Sequence, residues 1–216
     1  MDRYVKFTHY IYKFSMITAP LLMVVAMILL APQQQLLGSL EGSNLFLRSI
    51  AGEPGSWNAS HVAMLLAVLL FPLAFIGLYR QLIPANFWMG VTGLALAYVG
   101  FFMLGGQLAV DFVYGAITSN GADLDAARDV RLLIFDSSSI QIAFSMVANI
   151  GLILGWMIAA LISLIYATPN RLFGILVLAG WITIIVLHGK IPYIEAVGHS
   201  MMTLAMILAV RSSKFE

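Results

Sequence analysis

The residues able to do chemistry in this chain stand inside, or at the edges of, long apolar runs. They are His61, Gln107, Asp111, Gln141, Asn149, His188, Glu195 and His199. Gln107 and Asp111 are four apart, as are Glu195 and His199, and Gln141, Ser145 and Asn149 repeat at the same interval. On a helix, that spacing puts each set on one face. An ionisable group in an apolar span is expensive to keep, so each is a candidate for function by default.

Two chemistries fit these residue types. The first is directional hydrogen bonding to a small polar or amphiphilic molecule. His61, Gln107, Asp111, Gln141, Asn149, Glu195 and His199 would hold its polar part, and apolar walls would bury the remainder. Asp111 beside a histidine could also carry a proton. The second is a metal or haem site, because neutral imidazole ligates zinc, copper and haem iron. His61, His188 and His199 would then be the ligands, with Asp111 or Glu195 beside them, in a membrane enzyme. No His-Glu-x-x-His or comparably tight motif supports this reading. A third reading needs no ligand. Histidines and acids near span ends reach the headgroup layer, where they cost far less than at the midplane.

The elements that position these residues follow from composition. Of 216 residues, 61% are hydrophobic and 10% are charged. An ordinary soluble domain carries roughly 25% charged residues. Mean hydropathy is +0.95. So few charges cannot cover a water-soluble globule of this size, and disordered or coiled-coil chains are excluded too. The net charge of +1 gives no field to attract nucleic acid. With no cysteine, disulfides, thiol catalysis and covalent c-type haem attachment are excluded. Neither a Walker A loop nor a Gly-x-Ser-x-Gly elbow occurs.

A hydrocarbon core about 30 Å thick needs about 20 apolar helical residues, with a range of roughly 17–25. Six stretches qualify: about 14–31 (ending at Pro32), 57–79, 87–112, 139–166, 172–188 and 193–210. The runs are continuous rather than alternating, which favours helices over a barrel. The expectation is a single all-α membrane domain, residues 1–216, with six transmembrane helices and the lipid bilayer as its surroundings. Six spans put both termini on one side. That side carries Arg3, Lys6, Lys13, Arg80, Arg171, Arg211 and Lys214, and the other carries Arg48, Arg128, Arg131 and Lys190. Basic residues mark the cytoplasmic side, so both termini are expected there, in a plasma membrane of the bacterial inner-membrane kind.

With this topology the polar residues are lopsided. Three of the four histidines, Asp111, Glu195 and the Gln141–Asn149 stripe all fall near the non-cytoplasmic boundary. The cytoplasmic halves hold little beyond Ser and Thr, which can bond their own backbone. The expected result is a polar pocket opening to the outer face, serving a carrier or sensor. Gly151 and Gly155 form a Gly-x-x-x-Gly pair, suited to close helix packing inside the chain or to a partner helix in a homo-oligomer. The segments Pro84-Ala85-Asn86-Phe87 and Pro169-Asn170…Phe173 echo one another, as tight-turn chemistry alone would produce.

Overall fold

The computed structural model describes residues 2–34, 47–48, 50–119, 125, 129, 139–188 and 190–213. Among these, regular structure is entirely helical, with no strand. Six helices carry the architecture: α1 (Asp2–Gln34), α2 (Pro54–Leu82), α3 (Phe87–Ser119), α4 (Ser139–Tyr166), α5 (Arg171–Leu187) and α6 (Ile194–Ser212). All but α5 are long and apolar enough to cross a membrane, and α5 is apolar but only 17 residues long.

Three elements run beyond their hydropathic limits. α1 begins at Asp2 and continues through Pro32 to Gln34, where the apolar run predicts a stop at Pro32. Proline removes only one bond to the preceding turn, so a helix can pass it when neighbours hold that turn. Ser56 Oγ supplies such support, donating to Leu29 O at 2.8 Å. α2 starts at Pro54, a first-turn position where proline's missing N–H has no partner to lose. α3 continues past Phe112 to Ser119. There Gly115 is buried against α2, so close that a Cβ would sit 2.5 Å from Trp57 Nε1.

Each helix packs on the next along the chain, and α6 packs on α1, which closes a ring. Helices in lipid gain little by hiding apolar surface from one another, so close packing and hydrogen bonds must hold them. The α3–α4 seam shows how. A Cβ on Gly151 would lie 2.9 Å from Gly100 N, and one on Gly155 would lie 2.8 Å from Ala97 Cβ. The glycine pair packs inside the chain, against Ala97 and Gly100 of α3. α5 and α6 meet similarly, each of Gly180 and Gly198 facing the other's carbonyl oxygen at 2.7 Å from a built Cβ.

A dense aromatic layer fills one half of the ring. Phe71 of α2 stacks on Phe101 of α3 with centroids 4.6 Å apart, and Phe75 meets Trp156 of α4 edge-on at 4.8 Å. Below them, fully buried Tyr79 donates its hydroxyl to Gly155 O at 2.7 Å, tying α2 to α4. Gly93 of α3 lies against the same hydroxyl. The turns at this end are closed by asparagines. Asn86 Oδ1 accepts from Met89 N, and Asn170 Oδ1 accepts from Phe173 N. The sequence echo between these turns is thus one capping solution used twice.

The exterior is apolar. Leu21, Val25 and Ile28 of α1, Val62, Leu66 and Leu69 of α2, and Ile175, Ile182 and Ile185 of α5 are all exposed at helical spacing. Water would not tolerate faces like these, but lipid does. The apolar shell and the five candidate spans mark the chain as a multi-pass membrane protein.

Packing this tight makes a sharp prediction. Gly155→Val should destabilise the protein by roughly 1–3 kcal/mol, the usual range for overpacking. Gly52→Ala, at a position with nothing within 4 Å of the added carbon, should be silent. Thermal melting of the two variants in mild detergent, followed by size-exclusion chromatography, checks the contrast.

Candidate functional site

Above the aromatic layer the ring encloses a cavity of about 610 Å³. It lies where α1, α3 and α5 finish and α2, α4 and α6 begin. All six helices contribute to it. α1 supplies Met23, Met27 and Leu30; α2 supplies Trp57, His61 and Met64; α3 supplies Leu104, Gln107, Leu108 and Asp111. α4 supplies Asn149, Leu152 and Ile153; α5 supplies Trp181, Ile184, Ile185 and His188; α6 supplies Glu195 and His199. Leu47, from the connection between α1 and α2, completes the lining. Most of this wall is aliphatic, and the size is typical of small-molecule sites, roughly 300–1,000 Å³.

The polar residues singled out by spacing converge here. His61, Gln107, Asp111, Asn149, His188, Glu195 and His199 all border the one cavity. Gln141 belongs to α4, but its side chain lies outside the described residues. Helical register explains the convergence. Gln107 and Asp111 share the face of α3 that also carries Leu104 and Leu108. Glu195 and His199 share the inward face of the first turns of α6.

His61 is the most constrained of the set, with 2% of its surface exposed. Its Nδ1 lies 2.8 Å from Trp57 O, one turn earlier. A carbonyl oxygen only accepts, so Nδ1 carries the proton, an assignment made from the hydrogen-bond network. Ser60 Oγ donates to the same carbonyl at 2.7 Å and accepts from His61 Nδ1 at 3.1 Å. Trp57 also packs on the imidazole, with ring centroids 3.8 Å apart. The ring is thus fixed in orientation and tautomer. Its other nitrogen, Nε2, stops 3.9 Å from Asp111 Oδ2, beyond hydrogen-bond length.

A second pair stands at the rim. His188 caps the end of α5, and its Nδ1 contacts Glu195 Oε1 in the first turn of α6. Glu195 also lies where a helix N-terminus favours negative charge. Lys190, the other basic group in this turn, donates to Val186 O at 2.9 Å. The chain enters α6 through Tyr193 at φ 60°, a left-handed conformation that non-glycine residues seldom adopt.

The remaining polar side chains differ from these pairs. Among the described residues, the side-chain amides of Gln107 and Asn149 and the imidazole of His199 make no hydrogen bond to the protein. The indole Nε1 of Trp181 is buried and has no partner either. Groups like these, set in an apolar wall, need water or a ligand to satisfy them.

The three-histidine metal reading asks for His61, His188 and His199 in one ligand set. No group of three or more His, Asp or Glu side chains stands close enough to hold a metal ion among the described residues. His61 is directed at Asp111 and His188 at Glu195. Sequence reasoning also passed over Trp181 and the α1 methionines. Trp181 and His188 are seven apart, hence on one face of α5, so the spacing that found Gln107 and Asp111 could have found Trp181. Nothing local distinguishes Met23 and Met27 from core filler.

If Gln107 and His199 are held for a ligand rather than for the fold, apolar replacements will not harm stability. Gln107→Leu and His199→Leu should each leave the melting midpoint unchanged or raise it, by up to about 2 kcal/mol of stability. Tyr79→Phe, which removes a satisfied buried bond, should lower stability by roughly 0.5–1.5 kcal/mol. Melting curves of the three variants in one detergent test the opposite signs.

No protein-family model matches this sequence, no curated protein is significantly similar to it, and no solved structure significantly resembles it. What the chain does must therefore be argued from the chemistry of the cavity.

Proposed function

We propose that this chain is a single six-span domain of a plasma membrane, of the bacterial inner-membrane kind, with both termini in the cytoplasm. In this reading the cavity faces outward and binds a small amphiphilic molecule, as part of a carrier or a sensor. α5 counts as the sixth span. It packs along both α4 and α6, and 17 residues reach the lower limit for a spanning helix. Arg171 and Lys190 flank it, and side chains of that kind reach the headgroups from a short helix.

One observation carries the functional part. Six helices far apart in sequence each turn residues toward one cavity, and three of its polar side chains (Gln107, Asn149 and His199) have no protein partner among the described residues. A bundle that needed only to be stable would fill this space with apolar side chains, as its other half does. The mixture of aliphatic wall and unsatisfied donors and acceptors suits a molecule with one apolar and one polar part.

Two measurements test the reading. The first is native mass spectrometry of protein extracted in mild detergent. The wild type should carry a small-molecule adduct that organic solvent releases, and a folded Gln107→Leu/His199→Leu variant should carry none. An adduct on neither protein, or equally on both, would overturn the binding site. The second exploits the absence of cysteine. Single cysteines at Gly52 and Ser212 should react with a membrane-impermeant maleimide from opposite sides, Gly52 from outside intact cells. Labelling of Ser212→Cys from outside would reverse the orientation.

A further inference from the structure

The wall of the cavity is not equally closed all round. Its described lining residues on α1, α2, α3 and α6, and Leu47, are buried or half-buried. The exposed ones are Asn149 of α4 and Ile185 and His188 of α5. The opening therefore lies along one seam of the ring, between α4 and α5. These two helices are pressed together near their turn, where a Cβ on Gly174 would lie 2.7 Å from Ala160 O. Further along α5, Gly180 is turned to α6 instead. Ile185 follows Gly174 by eleven residues, and Asn149 precedes Ala160 by eleven. Both stand roughly 16 Å from the tight contact, at about 1.5 Å per residue, so they flank the seam at one level.

The surface around this opening is apolar. Ile185, 59% exposed, belongs both to the cavity wall and to the outer face of α5 that carries Ile182 and Val186. On α4, Asn149 stands between Met146 and Ile150, both exposed. In a membrane protein, faces of this kind meet hydrocarbon rather than water. His188 caps α5 roughly 4.5 Å beyond Ile185. The opening thus starts at the helix end and runs down into the apolar belt. A solute in water meets only its top, whereas an amphiphile already in the bilayer meets its full length. Asn149 stands in the opening with an amide that has no protein partner, and Gln107 of α3 and His199 of α6 offer further such groups inside.

Resting on the pocket reading above, we infer that the cavity opens sideways into the bilayer between α4 and α5, and that its occupant is a membrane-dissolved amphiphile with a single hydrocarbon chain. Its head carries hydroxyl or amide groups and bonds Asn149, Gln107 and His199, since a primary amide both donates and accepts. Its chain leads back between Ile153 and Ile185 to the hydrocarbon it came from, so entry never strips it from lipid. A cavity of about 610 Å³ has the size of a small-molecule site, which suits a head and part of one chain.

Route and occupant are tested separately, on the full chain in phosphatidylcholine nanodiscs. The chain has no cysteine, so single nitroxide labels at Ile153→Cys and Ile185→Cys report their surroundings by power saturation. Oxygen, which concentrates in lipid, should relax both labels more than a water-soluble nickel chelate does, and a label at Gly52→Cys should show the reverse. A label at Ile153→Cys relaxed mainly by the chelate, or by neither, would overturn the sideways opening. For the occupant, 1-oleoylglycerol or methyl oleate is added to the discs, or glycerol to the buffer. The readout is the saturable rise in melting midpoint that a ligand of the folded state produces. 1-Oleoylglycerol should half-saturate at a mole fraction lower than methyl oleate by about fivefold or more, as one or two net hydrogen bonds imply. Glycerol should give no shift. Gln107→Leu should narrow the gap between the two lipids to about twofold or less. Equal half-saturation of the two lipids on the wild type, a glycerol shift matching that of 1-oleoylglycerol, or no saturable shift from either lipid would overturn the lipid occupant. The adduct seen by native mass spectrometry decides the pocket itself, independently of both. Should Gln107→Leu fail to fold, the order of the three probes on the wild type still decides.

Discussion

Within hydrocarbon, helices have no solvent to flee, so they stay together only where their atoms meet closely or their polar groups pair. This ring is organised around that limit. α3 and α4 touch backbone to backbone at Gly100, Gly151 and Gly155, and α5 and α6 do so at Gly180 and Gly198. One buried hydroxyl, Tyr79, ties α2 across to α4. The aromatic layer of Phe71, Phe75, Phe101 and Trp156 fills the space these contacts leave. The same helices continue upward without comparable filling, and the cavity is that unfilled half.

Its polar residues make sense only against this background. Gln107, Asn149 and His199 occupy ring positions that would hold Leu or Phe if packing alone decided them. A fully buried polar group left unsatisfied costs roughly 1–3 kcal/mol, and these groups, exposed or half-buried toward the cavity, cost less than that when water reaches them. Natural chains keep costs of this kind mainly where function needs them. His61 differs because its own helix holds it. Trp57 O and Ser60 Oγ fix one nitrogen, and the other is left pointing at a carboxylate on a different helix. A side chain locked on one edge and open on the other is how a recognition site obtains a defined donor and acceptor pattern.

Much of this was legible in the sequence, for a physical reason. Hydrocarbon imposes a length and a polarity on each span, so helix positions can be read from hydropathy. The α4 limits, 139–166, agree with the structure. Hydropathy is blind to helix beyond the membrane, which is why α1 runs on to Gln34 and α3 to Ser119. Four-residue spacing named the faces carrying Gln107 and Asp111, and Glu195 and His199. It could not name partners across helices, because those depend on ring order. The pairing of His61 with Asp111, and of His188 with Glu195, needed coordinates.

The two halves of the ring also bear on which kind of membrane protein fits the proposed site. A carrier must open its site alternately to both sides, by moving one part of the bundle against another or by broken helices at the midplane. Here the route toward the far end is closed by stacked Phe71 and Phe101, by Phe75 against Trp156, and by the Tyr79–Gly155 bond. The α3–α4 seam beside it is among the tightest contacts in the ring. Opening that half would break the very contacts that replace the hydrophobic effect in lipid. At the cavity end, the rim includes the short α5–α6 turn with a left-handed residue at Tyr193. An occupant touching all six helices could act on the cavity half without disturbing the tightly packed one. On this division of rigidity, a receptor-like protein that registers its ligand from one side is the more economical reading than a carrier.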